Sequence, residues 1–289
     1  MTLRKTTILA ICLSFIALFL VMYGLSDTVI LDKFEKVERN QAKEHLVRSE
    51  RAVAAYIDRL DAYLADWSWW DDTYEFVLTQ DPEFVKSNLP WDVFSLQDLN
   101  VIAFYDVAGN MVWGAFYDLE SEAFVALPKE IENLFHRRPE LLKTGEKDVF
   151  HGILDLPKGA FIAACDEILN SDLEGPSRGF MLMARLLDGS FVDKMAEMTQ
   201  LDLDIAAFDP INDRFTPVSE PSITLTENTV SASAALLNLA GNPSRRLTVN
   251  IPRDIFRVGM QASRMNMAVI AGCILLLGAL IILFLEKRI

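Results

Sequence analysis

Two uncharged apolar runs, Ile8 to Leu25 and Met265 to Leu285, bracket a polar middle in which hydrophobic positions recur at helix or strand spacing. The runs are 18 and 21 residues long. At about 1.5 Å per residue each suffices, the first only just, to cross a hydrocarbon core roughly 30 Å thick. They predict transmembrane helices over 8–25 and 265–285, with 26–264 on one side of the membrane and 1–7 and 286–289 on the other. From Asp27 to about Trp70 there is neither Pro nor Gly, and helix formers dominate. Val53, Ile57, Leu60, Leu64 and Trp67 fall on one helical face. Ile30, Phe34 and Val37 start a similar stripe, but Gln41, Glu44 and Arg48 continue it with polar groups. The second half is expected to pack on a globular body, while 26–66 as a whole reads as a stalk helix able to pair with a twin.

Further on, Asp81 offers an N-cap and Pro82 a first helical residue, with the end near Asn88-Leu89-Pro90. Val101 to Tyr105 and Met111 to Tyr117 flank Asp106-Val107-Ala108-Gly109-Asn110 as a β-hairpin, and Pro128 to His136 suits a short connecting helix. Val149 to Leu154, Ala160 to Ile168 and Phe180 to Leu187 are strand candidates, and Asp188 can cap a helix to Gln200. Leu203 to Phe208 is another strand, Asp209 to Ser222 a loop or insertion, and Thr229 to Leu239 with Arg246 to Ile251 a returning hairpin. From Arg253 onward nothing interrupts a helix into the second span. The order predicts an α+β domain built on a sensor-like antiparallel sheet, with a long N-terminal helix and two flanking transmembrane helices.

Charge narrows the function. Of 27 Lys and Arg, 23 lie in 26–264, against 40 of the 41 acids. So acidic a middle argues against nucleic acid or an anionic lipid surface as partner. Arg4 and Lys5 before the first span, with Asp27 and Asp32 after it, put the N-terminus in the cytoplasm and the middle outside, in a multi-pass protein of the inner membrane. A cleavable signal peptide, with Gly24 and Ser26 before the cut, is the competing account of the first run. Cys12 and Cys273 lie inside the spans, which leaves Cys165 alone in the middle and no intrachain disulfide there.

The run Asp66-Trp67-Ser68-Trp69-Trp70-Asp71-Asp72-Thr73-Tyr74-Glu75-Phe76-Val77 is the most specific motif. With Asn88-Leu89, the Asp106 to Gly109 turn, Ile168-Leu169-Asn170-Ser171 through Gly175-Pro176-Ser177-Arg178-Gly179, and Ile251-Pro252-Arg253-Asp254-Ile255, it resembles the CHASE domain of the fourth type. That family consists of extracellular sensory modules associated with cyclases and histidine kinases. The resemblance implies a bacterial or archaeal receptor with a PAS-like outer domain. It also implies a second span that continues into a diguanylate cyclase, a cyclic-di-GMP phosphodiesterase or a histidine kinase. The chain stops at Ile289, four residues past that span. A truncated receptor, or an output carried by another protein, is therefore expected.

Four residues are candidates for ligand binding. If the inward stripe of Leu60, Leu64 and Trp67 continues, it meets Asp71, Tyr74 and Leu78, which sets a carboxylate on an aromatic face. Asp71 with Trp70 and Tyr74 then forms a pocket for a cationic or amine-bearing small molecule. Alternatively these aromatics anchor the stalk helix on the sheet, and Asp72 with Glu75 forms a capping box. Arg185 shares a strand face with Met181 and Met183 and needs a carboxylate, from the protein or from a ligand. His45, His136 and His151 show no metal-ligand spacing, and there is no P-loop, nucleophile elbow or Rossmann fingerprint. The chain thus reads as a homodimeric membrane sensor for a small molecule, without catalytic residues, metal or cofactor. The alternatives are the front end of a cyclase, phosphodiesterase or kinase, and a membrane-anchored protein-binding domain.

Overall fold

The structure, a computed structural model, describes residues 3–25, 31–142, 150–211, 213 and 221–288. In chain order the elements begin with α1 (Leu3–Leu25), α2 (Leu31–Ser68), α3 (Asp71–Thr79), α4 (Pro82–Asn88) and α5 (Trp91–Gln97). There follow β1 (Val101–Asp106), β2 (Met111–Asp118), β3 (Ala123–Val125), α6 (Lys129–Glu132), α7 (Leu134–Arg137) and a 3-10 turn (Pro139–Leu142). Then come β4 (Phe150–Leu156), β5 (Gly159–Glu167), β6 (Gly179–Leu186), α8 (Gly189–Thr199) and β7 (Asp202–Ala207). The chain finishes with β8 (Ser222–Leu225), β9 (Thr229–Leu237), β10 (Pro243–Pro252) and α9 (Asp254–Arg288). Two compact units result, one of Met1–Glu44, Ile223–Ser231 and Asn250–Ile289, the other of His45–Ser222 and Ala232–Val249. The expected start of the stalk at Asp27 and Ile30, and most of the 209–222 stretch, lie outside the described residues.

The larger unit is built on a six-stranded sheet of order β3-β2-β1-β6-β5-β4, with antiparallel ladders. β1, β5 and β6 are buried along almost their whole length. Helices cover both faces of this sheet, which is why its strands read as continuous apolar runs. On one face Val101, Ala103, Tyr105, Phe161, Leu182 and Ala184 pack with Ile131, Leu134 and Phe135 of α6 and α7. The Tyr105 hydroxyl, fully buried, donates to the Ile131 carbonyl at 2.6 Å. Cys165 belongs to this core, where burial first and the neighbouring Asp166 second push its thiol well above the ordinary value. On the other face Phe104 meets Phe76 of α3 edge-on at 5.2 Å and Phe84 of α4 at 6.3 Å. A second sheet has the order β7-β10-β9-β8.

α2 is one 38-residue helix. Val53, Leu60 and Leu64 are buried as expected, but Ile57 and Trp67 are only half-buried, and Tyr56 joins the inward face. In the first half the buried positions are Glu38, Ala42, Leu46 and Ser49. The stripe drawn through Gln41, Glu44 and Arg48 was therefore out of phase, because small and paired polar residues hold the true one. The helix does not carry its inward stripe past Trp67. It ends at Ser68, and α3 starts at Asp71 with Trp70 as N-cap and no side-chain cap bond. The new helix buries Thr73, Phe76 and Val77, while Asp71 is exposed and Leu78 is 60% exposed. Asp72 with Glu75 does not form a capping box. Asp81 caps α4 by accepting from Glu83 N–H at 3.0 Å, and Asp188 caps α8 by accepting from Phe191 N–H at 3.0 Å, as their positions predicted.

In the smaller unit α1 and α9 pack together around an apolar groove of about 560 Å³ lined by Phe15, Phe19, Ala271, Ile274 and Gly278 among others. Among the described residues one helix is long and apolar enough to cross a membrane, Asp254–Phe284, with mean hydropathy 2.9. The apolar part of α1, Leu9–Gly24, is shorter than that test requires.

Gly179 opens β6 with φ 150°, opposite Asp106 of β1, and a Cβ there would run into the Tyr105 carbonyl oxygen. Gly179→Ala is expected to cost about 3 kcal/mol or more in chemical denaturation of the purified chain, because the β1–β6 ladder at the sheet's centre would have to part.

Candidate functional site

The break between α2 and α3 decides what the tryptophan and aspartate motif does. Trp70 is half-buried between Trp67, edge-on at 6.0 Å, and Phe84 at 5.9 Å. Asp71 Oδ1 accepts from Ser171 N–H at 2.9 Å, and Leu169 N–H donates to the Ser68 carbonyl at 3.0 Å. The Tyr74 hydroxyl donates to the Pro176 carbonyl at 3.2 Å. A cation does sit on the Tyr74 ring, but it belongs to the protein: the Arg178 guanidinium lies 3.7 Å from the ring centroid. Arg178 Nη1 also donates to the Tyr74 carbonyl at 3.1 Å and to Glu75 Oε2 at 2.9 Å. The motif thus clamps the segment between β5 and β6 onto α3.

Arg185 stands at the far end of β6 from Gly179. At about 3.4 Å per residue this puts roughly 20 Å between it and the Tyr74 clamp, so the four predicted residues do not converge on one pocket. Its side chain is 1% exposed and fully engaged. Nε donates to Asp98 Oδ1 at 3.0 Å, Nη1 to Asn100 Oδ1 at 2.9 Å, and Nη2 to Asp188 Oδ1 at 3.1 Å and Ser190 Oγ at 2.6 Å. Asp98 also takes the Tyr56 hydroxyl at 3.1 Å and Lys194 Nζ at 2.9 Å. Burial, then the charge of Asp98, pushes the Tyr56 hydroxyl far above its ordinary value, so it stays protonated and donates to Asp98. Burial alone would raise the Asp188 carboxyl, but hydrogen bonds from Arg185, Phe191 N–H and Ser190, with the Arg185 charge, bring it below the ordinary carboxylate range.

A cleft lies instead along the outer edge of β2. β3 pairs only with Phe116–Asp118, so, among the described residues, 111–115 have no strand partner on that side. The opening of about 380 Å³ there is lined by Val85 and Lys86 of α4, by Leu89 and Pro90 after it, by Trp113 to Phe116, and by Phe124, Val125 and Leu127. Lys86 is its one ionisable lining residue, and Gly114 brings the backbone close because a Cβ would crowd Met111, Leu127 and Ala103. None of these residues was a ligand-binding candidate in the sequence, although Leu89 lies in the family motif and Trp113 to Phe116 in a predicted strand. The signal was a glycine inside an otherwise bulky strand, legible only once β3 proved three residues long. Among the described residues no group of three or more His, Cys, Asp or Glu could hold a metal ion.

A family model described as the CHASE4 domain matches residues 52–206, just over half of the chain. The methanogenesis regulatory histidine kinase FilI of Methanothrix harundinacea (strain 6Ac) is 28% identical over 227 residues, covering 78% of this chain and 26% of that protein. The chain therefore spans about a quarter of the length of this curated relative. The extracellular domain of a protein described as a histidine kinase, vpHK1S-Z8, superposes with a TM-score of 0.52 at 10% identity, over 79% of this chain and 94% of that one. A domain of a sensory box/GGDEF family protein from Vibrio parahaemolyticus gives 0.52 at 9% identity, over 78% and 99%. At such identities the two structures share the fold.

Replacing Arg185 by Met would leave Asp98 and Asp188 without their buried cation, and a loss of about 3–5 kcal/mol in urea denaturation is expected. Because the folded pKa of Asp188 is depressed, its stabilisation is present above the ordinary carboxylate range and is lost as pH falls through the lowered value. Asp188→Asn should therefore flatten the acid limb of the stability profile, and an unchanged limb would refute the assignment.

Proposed function

The chain belongs to the CHASE4 domain family, and from that premise we propose that it is the sensory part of a membrane receptor that binds a small molecule outside the cytoplasm and passes the signal through α9. The family is sensory rather than catalytic. The observation that carries the ligand reading is the cleft at the unpaired edge of β2. Its free strand edge offers backbone donors and acceptors, its walls are apolar and aromatic, and Lys86 supplies a single charge at the rim. That combination suits a small organic molecule with one polar end. Trp70, Asp71 and Tyr74 serve this site at a distance, by fixing the segment 168–178, and Arg185 holds the opposite end of the sheet.

The N-terminus is cytoplasmic and both α1 and α9 cross the membrane, α1 at the lower limit of length. Val37 and Val47, 51% and 40% exposed on α2, suit pairing with a second copy. The similarity to a histidine kinase over a quarter of its length supports an output module of the kinase type, in the same chain or in a partner.

The test uses the purified chain in lipid nanodiscs, screened by thermal shift against a library of small organic acids, amines, amides and sugars. A true ligand at 100 times its Kd stabilises the fold by about 2.7 kcal/mol. Ala115→Trp, which fills the cleft, should weaken binding by at least about tenfold, or 1.4 kcal/mol, with little change in unliganded stability. No stabilising compound, or equal binding by the variant, would defeat the proposal.

A further inference from the structure

The first turn of α9 starts with four backbone N–H groups that have no partner within the helix. The residue before the helix is Arg253, whose side chain has only donors and cannot cap it. The acceptor comes from another helix. Phe256 N–H donates to Glu38 Oε1 of α2 at 2.7 Å, and Glu38 Oε2 takes Arg253 Nε at 3.0 Å. Glu38 is 4% exposed and Arg253 8%. Arg253 is held from the other side as well: its N–H donates to the Asn228 carbonyl at 2.9 Å and its Nη1 to the Thr226 carbonyl at 3.1 Å. Its guanidinium lies 4.0 Å from the centroid of the Phe256 ring. One turn along each helix, the Phe34 ring fills the space above Gly259, where any Cβ would collide with it.

We infer that Glu38 is a register lock between α2 and α9, the removable cap of the helix that enters the membrane. A slide of one turn, about 5.4 Å, would bring Phe34 or Ala42 to the first turn of α9 in place of Glu38. Neither side chain accepts a hydrogen bond, and Arg253 would stay buried without a carboxylate. At the same time Phe34 would leave Gly259, where the missing Cβ makes room for its ring. The cap, the ion pair and the ring contact therefore break together, which makes the junction a device with two states rather than a sliding contact. Any signal that moves α9 along α2 has to open this lock.

Amide hydrogen exchange on the full chain in lipid nanodiscs tests it. Glu38→Ala should speed exchange at Phe256 by about tenfold or more, while Glu38→Gln, whose amide oxygen still accepts, stays within about threefold of the parent. Amides of Val101–Tyr105 in β1 should be unchanged in both variants. A second readout is a disulfide between Phe34→Cys and Gly259→Cys in a chain with Cys12 and Cys273 replaced by Ser; adding Glu38→Ala should slow its formation about fivefold or more. Unchanged exchange at Phe256, an unchanged disulfide rate, or loss of protection in β1 as well would each overturn the inference.

Discussion

A guanidinium without access to water is the constraint around which the larger unit is arranged. Arg185 is 1% exposed, so every donor it carries must meet an acceptor inside the protein, or the cost of desolvating the charge goes uncompensated. The acceptors come from separate stretches of chain: Asp98 and Asn100 between α5 and β1, and Asp188 and Ser190 at the start of α8. Tyr56 of α2 and Lys194 of α8 then bind the Asp98 carboxylate. One buried cation thereby fixes the entry to β1, the exit of β6, the cap of α8 and the face that α2 presents to the sheet. Tyr56 also meets Phe191 edge-on at 5.1 Å, so apolar packing closes around the same polar centre.

This arrangement bears on where a ligand can act. In the pocket predicted for a cationic ligand, Arg178 already occupies the Tyr74 face and pairs with Glu75, and Arg185 is committed to its own acceptors. A ligand competing for either would have to replace several hydrogen bonds made without loss of translational freedom. Along its outer side β2 offers backbone groups of 111–115 that no described strand takes, and among the described residues the one cation there, Lys86, makes only an exposed pair with Glu83 at 3.4 Å. Rigid surroundings and one exposed strand edge are what a preorganised site requires.

How much of this could be read from residues alone follows from which interactions are local. Periodicity placed the hairpin of β1 and β2, strands β4 to β6, the capped helices α4 and α8 and the uninterrupted α9. The family was legible too, because the cluster from Asp66 to Val77 is specific. Periodicity failed where helix faces are made of paired or small residues. Glu38, Ala42 and Ser49 are buried on α2 but look like a solvated stretch. It also failed at Trp69 and Trp70, where a run free of Gly and Pro nevertheless ends one helix and begins another. There the anchoring is tertiary: the Ser68 carbonyl takes Leu169 N–H, and Asp71 takes Ser171 N–H. The partners lie about a hundred positions away, beyond any local window. For Arg185 the need for a carboxylate was clear, but the choice of Asp98 and Asp188 depends on the pairing of β1 with β6.

The same reasoning explains why the grip on α9 lies where it does. Between Arg253 and the apolar stretch from Met265 run eleven residues, roughly 16 Å of helix. The polar contacts to Glu38 and the ring contact to Phe34 fall within its first two turns, before hydrocarbon would begin. The groove between α1 and α9 is lined by apolar and small side chains, a contact that fixes register less firmly than polar bonds do. A buried ion pair that also caps a helix supplies such bonds. Register is therefore imposed on α9 at its first two turns, by Glu38 and Phe34 of α2, and the contact with α1 is free to follow.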